Sequence, residues 1–410
     1  MALVVKKFGG SSVATPEKML AVARRVLNDK ASEDRVVVVV SAMGDTTDEL
    51  ISLAKAVTGN PYGREMDMLL STGEQVSIAL LAMTFEKLGH AAVSLTGFQA
   101  GITTTSACGK AKITGISPER VFRELDKGKI VVVAGFQGMT AEGDITTLGR
   151  GGSDTTAVAL SGALKADVCE IFTDVDGIYS ADPRVVGRAR RMKEVTYNEM
   201  LEMARLGAVV MQPRAVEMGK HYGVPIHVRS TFNQQSGTII REVYTMEEQE
   251  FIIRGVTHDT NVAKVAILGV PDKPGIAYKV FSMLAKANID VDMIVQSIRN
   301  ADKNINDIVF TIAKPDLLQA RTIIEQVSKE LGFLGVEIEE NVAKVSVVGA
   351  GMYGSPGIAA TMFGAMADAG VNIEVISTSE ISISCLIQAD KVKEAVNAIH
   401  ARFFKDEPGK

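Results

Sequence analysis

Five consecutive valines at positions 36–40, flanked by Arg35 and by Ser41 and Ala42, constrain this chain more than any other feature. An unbroken β-branched run, without polar alternation, suits a strand buried on both faces, as in a parallel sheet covered by helices. The runs IVVVAG at 130–135 and VCEIFT at 168–173 repeat the signal, and LVVKKF at 3–8 reads as a first strand. Shorter strands are predicted at 225–229 and 237–240. Helix signals alternate with them. Thr15-Pro16-Glu17 supplies an N-cap threonine and a proline at the first helical position. Val76, Ala79, Leu80, Met83 and Leu88 recur near helical period and predict a helix over 75–88, and 154–164 suits another. The pattern predicts an α/β protein: a three-layer αβα sandwich around a mainly parallel sheet.

At 410 residues the chain has room for two or three domains. The polar stretch MEEQE at 246–250 sets a boundary, leaving a first domain over 1–245. The last third carries an internal repeat. Pro274-Gly275-Ile276-Ala277 recurs as Pro356-Gly357-Ile358-Ala359, and at the same offset Phe281 matches Phe363, Asp292 matches Glu374 and Ser297 matches Ser379. Each copy reads strand, Pro-Gly turn, helix, strand, strand. Two copies are too few for a solenoid and predict a packed pair of small α+β modules, over 246–340 and 341–410. An extra strand at 251–258 precedes the first copy and is expected to pair with the second.

Composition excludes several functions. A net charge of −5 offers no basic footprint for nucleic acid. No uninterrupted apolar run approaches the ~20 residues of a membrane span. Cys108, Cys169 and Cys385 form neither a disulfide ladder nor a metal knuckle, and the five histidines lack ligand spacing. These features point to a cytoplasmic protein with no membrane or nucleic-acid partner.

Two glycine-rich stretches carry the chemistry. In KFGGSS at 7–12, a lysine ends a strand and two glycines let successive N–H groups converge as an anion nest, with Lys7 adding a point charge suited to phosphate. A plain glycine turn beside a surface lysine is the competing reading. In GRGGSDTT at 149–156, Arg150 offers a planar fork for carboxylate or phosphate, and Ser153 or Asp154 is expected to cap the following helix, whose spare N–H groups suit an anion. Small and hydroxyl residues at 41–47 leave the valine strand where ligands of open parallel sheets bind. Ser71-Thr72-Gly73-Glu74 is expected to precede a helix, making Glu74 a first-turn dipole partner or a ligand for an ammonium. FTDVDGIYSADPR at 172–184 reads as a polar turn or as a nucleotide loop.

Taken together, KFGGSS, VVSAMGDTTDEL at 39–50, STGEQVS at 71–77, TTLGRGGSDTTA at 146–157 and FTDVDGIYSADPR resemble the aspartokinase family of the amino-acid kinase superfamily. The paired Pro-Gly modules resemble that family's tandem ferredoxin-like ACT domains. No dehydrogenase segment follows, so the resemblance is to the monofunctional form. It implies phosphorylation of the side-chain carboxylate of L-aspartate by ATP with Mg²⁺, the metal arriving on the nucleotide. Lys7 and Asp154 would be catalytic, Asp154 orienting Lys7. Lys7, Phe8, Gly9, Gly10, Ser11, Ser41 and Ser153 would meet phosphate. Thr173, Asp174, Tyr179, Asp182 and Arg184 would meet the nucleotide. Glu74 would hold the substrate ammonium and Arg150 its α-carboxylate, with Ser41, Thr47, Leu125, Asp126, Gly151, Gly152 and Ser153 nearby. Val209 stands where many members of the family carry a lysine.

In the C-terminal pair each Pro-Gly turn precedes a helix, so a small ligand's carboxylate could sit at that N-terminus, with Asp272, Asp292 and Gln296 placed to grip an amine. The resemblance implies an effector pocket for lysine, threonine or both, built by Asp272, Gly275, Ile276, Ala277, Asp290, Val291, Asp292 and Gln296. Ile358, Ala359, Asn372, Ile373, Ser379 and Glu380 would contribute from the second copy. It also implies a homo-oligomer formed through these modules, and an internal start at Met246 would yield a separate regulatory subunit. Three competing functions are a glutamate kinase, a UMP kinase and a non-catalytic amino-acid sensor. The intact Lys7, Arg150 and Asp154 weigh against the last.

Overall fold

The computed structural model describes residues 2–29, 34–243, 252–300, 305–352 and 355–404, so the acidic stretch at 246–250 lies outside the described residues. The chain forms two compact units, which are described separately: Met1–Ile178 with Arg191–Ala204 and Val209–Gln249, and Tyr179–Arg190 with Arg205–Ala208 and Glu250–Lys410.

The first unit runs β1 (Leu3–Phe8), α1 (Pro16–Asn28), β2 (Arg35–Val40), α2 (Thr46–Thr58), α3 (Arg64–Lys87), β3 (Ala92–Leu95), β4 (Ile102–Thr104), β5 (Ile113–Ile116), α4 (Glu119–Asp126), β6 (Ile130–Ala134), β7 (Gln137–Met139), β8 (Ile145–Thr147), α5 (Gly152–Leu164), β9 (Val168–Thr173), β10 (Glu194–Thr196), α6 (Tyr197–Arg205), α7 (Pro213–Tyr222), β11 (Ile226–Ser230) and β12 (Thr238–Arg241). Its main sheet has eight strands in the order β10-β12-β11-β9-β1-β2-β6-β3. Every pairing is parallel except β11 with β12. The valine strand β2 lies between β1 and β6, and all five valines are buried. Each such side chain contributes about 1.5–3 kcal/mol of burial. On one face, Phe8, Phe172, Val36, Val38 and Val40 pack against Met19 and Val22 of α1 and Leu81 and Phe85 of α3. On the other lies α5, with α7 beside it. A small sheet, β5-β4-β7-β8, flanks this core.

Two helix starts differ from expectation. The helix over 75–88 begins at Arg64, so Ser71 to Glu74 lie inside α3. Gly73 reads locally as a break, but a Cβ there would sit 2.8 Å from the Ala42 Cβ. Glycine is therefore required by the close approach of α3 to the end of β2. Helix α5 starts at Gly152 with left-handed Gly151 (φ 70°) as its N-cap, not Ser153 or Asp154. Helix α3 is also long and apolar enough to cross a membrane by length and composition, with half of that stretch buried within the protein.

The second unit continues with β13 (Gly255–Asp259), β14 (Val262–Pro271), α8 (Ile276–Lys286), β15 (Val291–Asn300), β16 (Ile305–Ala313), α9 (Leu317–Leu331), β17 (Gly335–Glu339), β18 (Val342–Val348), α10 (Ile358–Asp368), β19 (Val375–Thr378), β20 (Ser382–Gln388) and α11 (Val392–Phe403). The first module is the antiparallel sheet β15-β16-β14-β17. The second is β13-β18-β20-β19, with Gly255 opposite Val348 and Asp259 opposite Lys344. Both Pro-Gly turns place a left-handed glycine at a helix N-cap: Gly275 (φ 93°) before α8 and Gly357 (φ 96°) before α10. Lys264 and Lys344 hold matching places in the two VAKV stretches. Each pairs with the acid of the other module, Lys264 with Glu374 and Lys344 with Asp292.

Residues 179–190 and 205–208, inside the first domain by the sequence boundaries, cluster with this unit. Ala181 and Val186 join its core beside Ile253, Val345 and Ile399. Val256 donates its N–H to the Ser180 carbonyl at 2.7 Å, and Ser180 Oγ lies 2.9 Å from His400 Nε2. Apolar side chains thus draw a segment of the N-terminal half onto the C-terminal sheet.

Candidate active site

Strand alternation sends neighbouring residues at the end of β1 to opposite faces. Phe8 stacks on Phe172 at 4.5 Å within the core, whereas Lys7 reaches α5, where its Nζ lies 2.6 Å from Asp154 Oδ1. Gly9 and Gly10 then turn the chain. A Cβ on Gly10 would stand 2.7 Å from the Ala42 carbonyl, and Gly44 N–H donates to the Gly10 carbonyl at 3.1 Å. The glycine turn is therefore pressed against the segment leaving β2.

That segment and α5 close the pocket. Ser41 Oγ donates to Ser153 Oγ at 2.9 Å. A cavity of about 280 Å³ is lined by Lys7, Gly9, Gly10, Ser41, Thr47, Glu74, Phe136, Arg150, Ser153 and Asp154, with Gly149, Gly151 and Gly152. It sits past the carboxyl ends of β1 and β2, where ligands of parallel sheets bind. The N-terminus of α5 adds a partial positive charge.

Glu74 is 3% exposed. The Ala42 N–H donates to its Oε1 at 3.0 Å, while Oε2 is buried with no partner. Burial pushes its carboxyl up to about 7 against the pull of that hydrogen bond. A cationic ligand would supply what Oε2 lacks.

Several sequence-predicted residues do not line this cavity. The Phe8 side chain is in the core, and Ser11 is exposed, its carbonyl accepting from Lys18 Nζ at 3.0 Å. Leu125 is buried at the end of α4, and Asp126 pairs with Arg35 at the start of β2, the opposite end of that strand from Ser41. Thr173 ends β9 and its Oγ1 donates to Asp174 Oδ1 at 3.0 Å. Tyr179, Asp182 and Arg184 belong to the second unit, where Arg184 Nη2 holds Asp182 at 2.7 Å. Val209 is 80% exposed.

Of the predicted effector residues, Asp272, Gly275, Ala277, Asp290, Asp292, Gln296, Asn372, Ser379 and Glu380 are exposed, whereas Ile276, Val291, Ala359 and Ile373 are half-buried and Ile358 is buried. Asp292 is engaged by Lys344, and Ser379 Oγ lies 2.8 Å from Ser382 Oγ.

Phe136 was not foreseen from sequence. It lines the cavity with a left-handed backbone (φ 68°), its N–H donating to Thr156 Oγ1 at 3.2 Å and its carbonyl accepting from Leu148 N–H at 2.8 Å. A positive φ is uncommon for a bulky non-glycine residue and is held here by these two hydrogen bonds. The signal available was its place directly after the strand-ending Gly135. Among the described residues, no group of three His, Cys, Asp or Glu side chains could hold a metal ion.

A mainly parallel αβα sheet with a lysine and a glycine turn at the strand ends, beside a helix N-terminus, places this chain among α/β proteins whose strand-end geometry suits an anion. The family model described as the amino acid kinase family matches residues 2–230, and ACT domain models match 264–332 and 345–403. An aspartokinase of Mycolicibacterium smegmatis is 50% identical over 405 residues, covering 98% of this chain and 96% of that protein. Crystal structures of Escherichia coli aspartokinase III superpose at 26% identity, covering 98% of this chain and all of theirs. The complex with aspartate and ADP (R-state) has a TM-score of 0.83, and that with lysine and aspartate (T-state) 0.78. The chain belongs to the amino acid kinase family and, within it, to the aspartokinases with two ACT domains.

Proposed function

We propose that this chain transfers the terminal phosphoryl group of Mg-ATP to the side-chain carboxylate of L-aspartate, giving 4-phospho-L-aspartate. The observation that carries the reading is the cavity's charge arrangement. An unpartnered, buried Glu74 oxygen and Arg150 lie in the same walls as the Lys7–Asp154 pair and the Gly9-Gly10 turn. Glu74 receives the substrate ammonium, and Arg150 with the start of α5 receives the α-carboxylate. The acceptor carboxylate then points toward Lys7. Its ordinary pKa of about 3.9 leaves it ionised at pH 7, so no general base is needed. The chain's remaining tasks are positioning and neutralisation of charge. Asp154 holds the Lys7 ammonium in place, and the backbone of the glycine turn offers N–H groups to phosphate oxygens. The Gly9-Gly10 turn suits a nucleotide phosphate because it lies in the cavity wall beside Lys7 with no side chain of its own to block the approach. Mg²⁺ would come bound to ATP.

The test is ADP release by the purified protein with L-aspartate and with L-glutamate. Aspartate-dependent turnover is expected, and turnover with glutamate alone would sink the reading. Lys7→Ala should lose most of kcat, at least about a hundredfold, with little change in KM for aspartate. A near-normal kcat would remove Lys7 from the mechanism.

The reaction would open lysine, threonine and methionine biosynthesis. The lysine complex of the E. coli relative supports an amino-acid effector at the paired modules of this chain, with lysine, threonine or both as candidates and a homo-oligomer as the working form. Isothermal titration with each amino acid tests this. Absence of heat, together with absence of inhibition, would leave the modules a structural role.

A further inference from the structure

Asp67 is 1% exposed on α3 and does not line the cavity. Its carboxylate accepts hydrogen bonds from three neutral donors: the Gly109 N–H at 3.0 Å to both oxygens, the Thr147 N–H at 3.0 Å and the Thr147 hydroxyl at 2.7 Å. A buried carboxylate is costly unless its acceptors are filled, so this acid ties the 109 and 147 segments firmly to α3.

Arg214 on α7 grips the same two segments from another element. Its Nη1 donates to the Leu148 carbonyl at 2.6 Å and its Nη2 to the Ala111 carbonyl at 2.9 Å. The segments also bind each other, Ala111 N–H to the Thr147 carbonyl at 2.9 Å. Gly149 (φ 75°) passes so close that a Cβ would stand 2.8 Å from the Gly109 carbonyl. The next residue is Arg150. Asp67 precedes Glu74 by seven residues, two helical turns along the same face of α3.

We propose that Asp67 and Arg214 are positioning residues that fix the gap between Glu74 and Arg150, and so the fit of an α-amino acid's ammonium and carboxylate. The inference rests on the aspartate-kinase reading for the substrate, but the pinning of the loop stands without it. The Gly9-Gly10 turn is held by the backbone after β2, and Lys7 by β1 and by Asp154 within α5, none of them among the strapped residues 109–111 and 147–148. Loosening the strap should therefore weaken amino-acid binding and spare the nucleotide side.

The experiment uses the full chain with Asp67→Asn, Arg214→Lys and both together, measured by ADP release and by amide hydrogen exchange. Asparagine turns one acceptor into a donor facing N–H groups, and lysine cannot span two carbonyls. Loss of one or two such bonds should raise KM for aspartate about tenfold to a hundredfold, with KM for Mg-ATP and kcat changed less than about threefold. The double variant should fall short of the product of the two effects, because both release one loop. Exchange should quicken at Gly109 and Thr147.

An equal rise in both KM values, a loss confined to kcat, or an unchanged aspartate KM would overturn the proposal. If Asp67→Asn has no cooperative melting transition, Arg214→Lys decides by the same criteria. If the parent protein ignores aspartate, the functional reading fails, and unaltered exchange in the variants would separately overturn the strap.

Discussion

At the scale of single residues, Glu74 is a buried carboxyl held at a cost to the folded protein. Its carboxyl rises from 4.5 to about 7 because burial penalises the charge. Above pH 4.5 the unfolded chain ionises this group while the folded chain still holds its proton. Folded stability therefore falls as pH rises from about 4.5 to about 7, and the deficit persists above. Glu74→Gln removes it. Calorimetric melting should show the variant above the parent at pH 8, by about 2–4 °C for each kcal/mol recovered, and level with it near pH 4.5. The same variant should raise KM for aspartate by at least about tenfold. In the parent, that KM should climb as pH drops below about 7. A variant that melts lower than the parent at pH 8, or parent kinetics flat through this window, would contradict the assignment.

At the scale of elements, α3 links three features: Asp67, Gly73 and Glu74. Gly73→Ala sets two effects against each other. Alanine favours a helix interior by about 1 kcal/mol. Its Cβ, however, would stand 2.8 Å from that of Ala42, and such overpacking costs about 1–3 kcal/mol. The clash wins because the neighbour is a short side chain on the strand end, without freedom to swing away. Thermal melting should place the variant below the parent, and KM for aspartate should rise as α3 shifts Glu74. Here the limits of the sequence are physical. The valine runs of β2 and β6 announce themselves because burial on both faces is a local pattern. The start of α3 was hidden because Gly73 and Ser71 look like a turn, and only contact with Ala42 makes glycine the right helical residue. Asp67 and Arg214 were unreadable for a related reason: their partners, backbone groups apart from the Thr147 hydroxyl, belong to residues 42 to 103 positions away. The lysine, glycine and arginine motifs that line the cavity were visible, since their chemistry is carried by short contiguous strings. A string does not say which face of a strand, or which end of a sheet, a side chain occupies, so the core side chain of Phe8 and the Arg35-paired Asp126 were grouped with them.

At the scale of the whole molecule, the two modules lock through reciprocal ion pairs whose acids, Asp292 and Glu374, are 82 residues apart and whose lysines, Lys264 and Lys344, are 80 apart. Lys344 is 3% exposed, whereas its partner Asp292 is 54% exposed. Asp292→Ala would leave a buried ammonium uncompensated and should destabilise the second unit by about 1–3 kcal/mol, since the acid itself is half exposed. Lys344→Met, which replaces the cation with an apolar side chain, should be close to neutral. Urea denaturation followed on the full chain would show the order, and a Lys344→Met variant as damaged as Asp292→Ala would refute it. Strand β13 bears on how such a molecule is made. It completes the sheet of the second module yet precedes the whole first module, with 84 residues between Asp259 and its partner Lys344. At ribosomal speeds of about 5–20 residues per second, that edge leaves the tunnel roughly 4–17 s before it can be covered. The first module must therefore complete itself while an unsatisfied strand waits beside it. During synthesis, that strand is where a neighbouring nascent chain could intrude, and a chaperone would have most to protect.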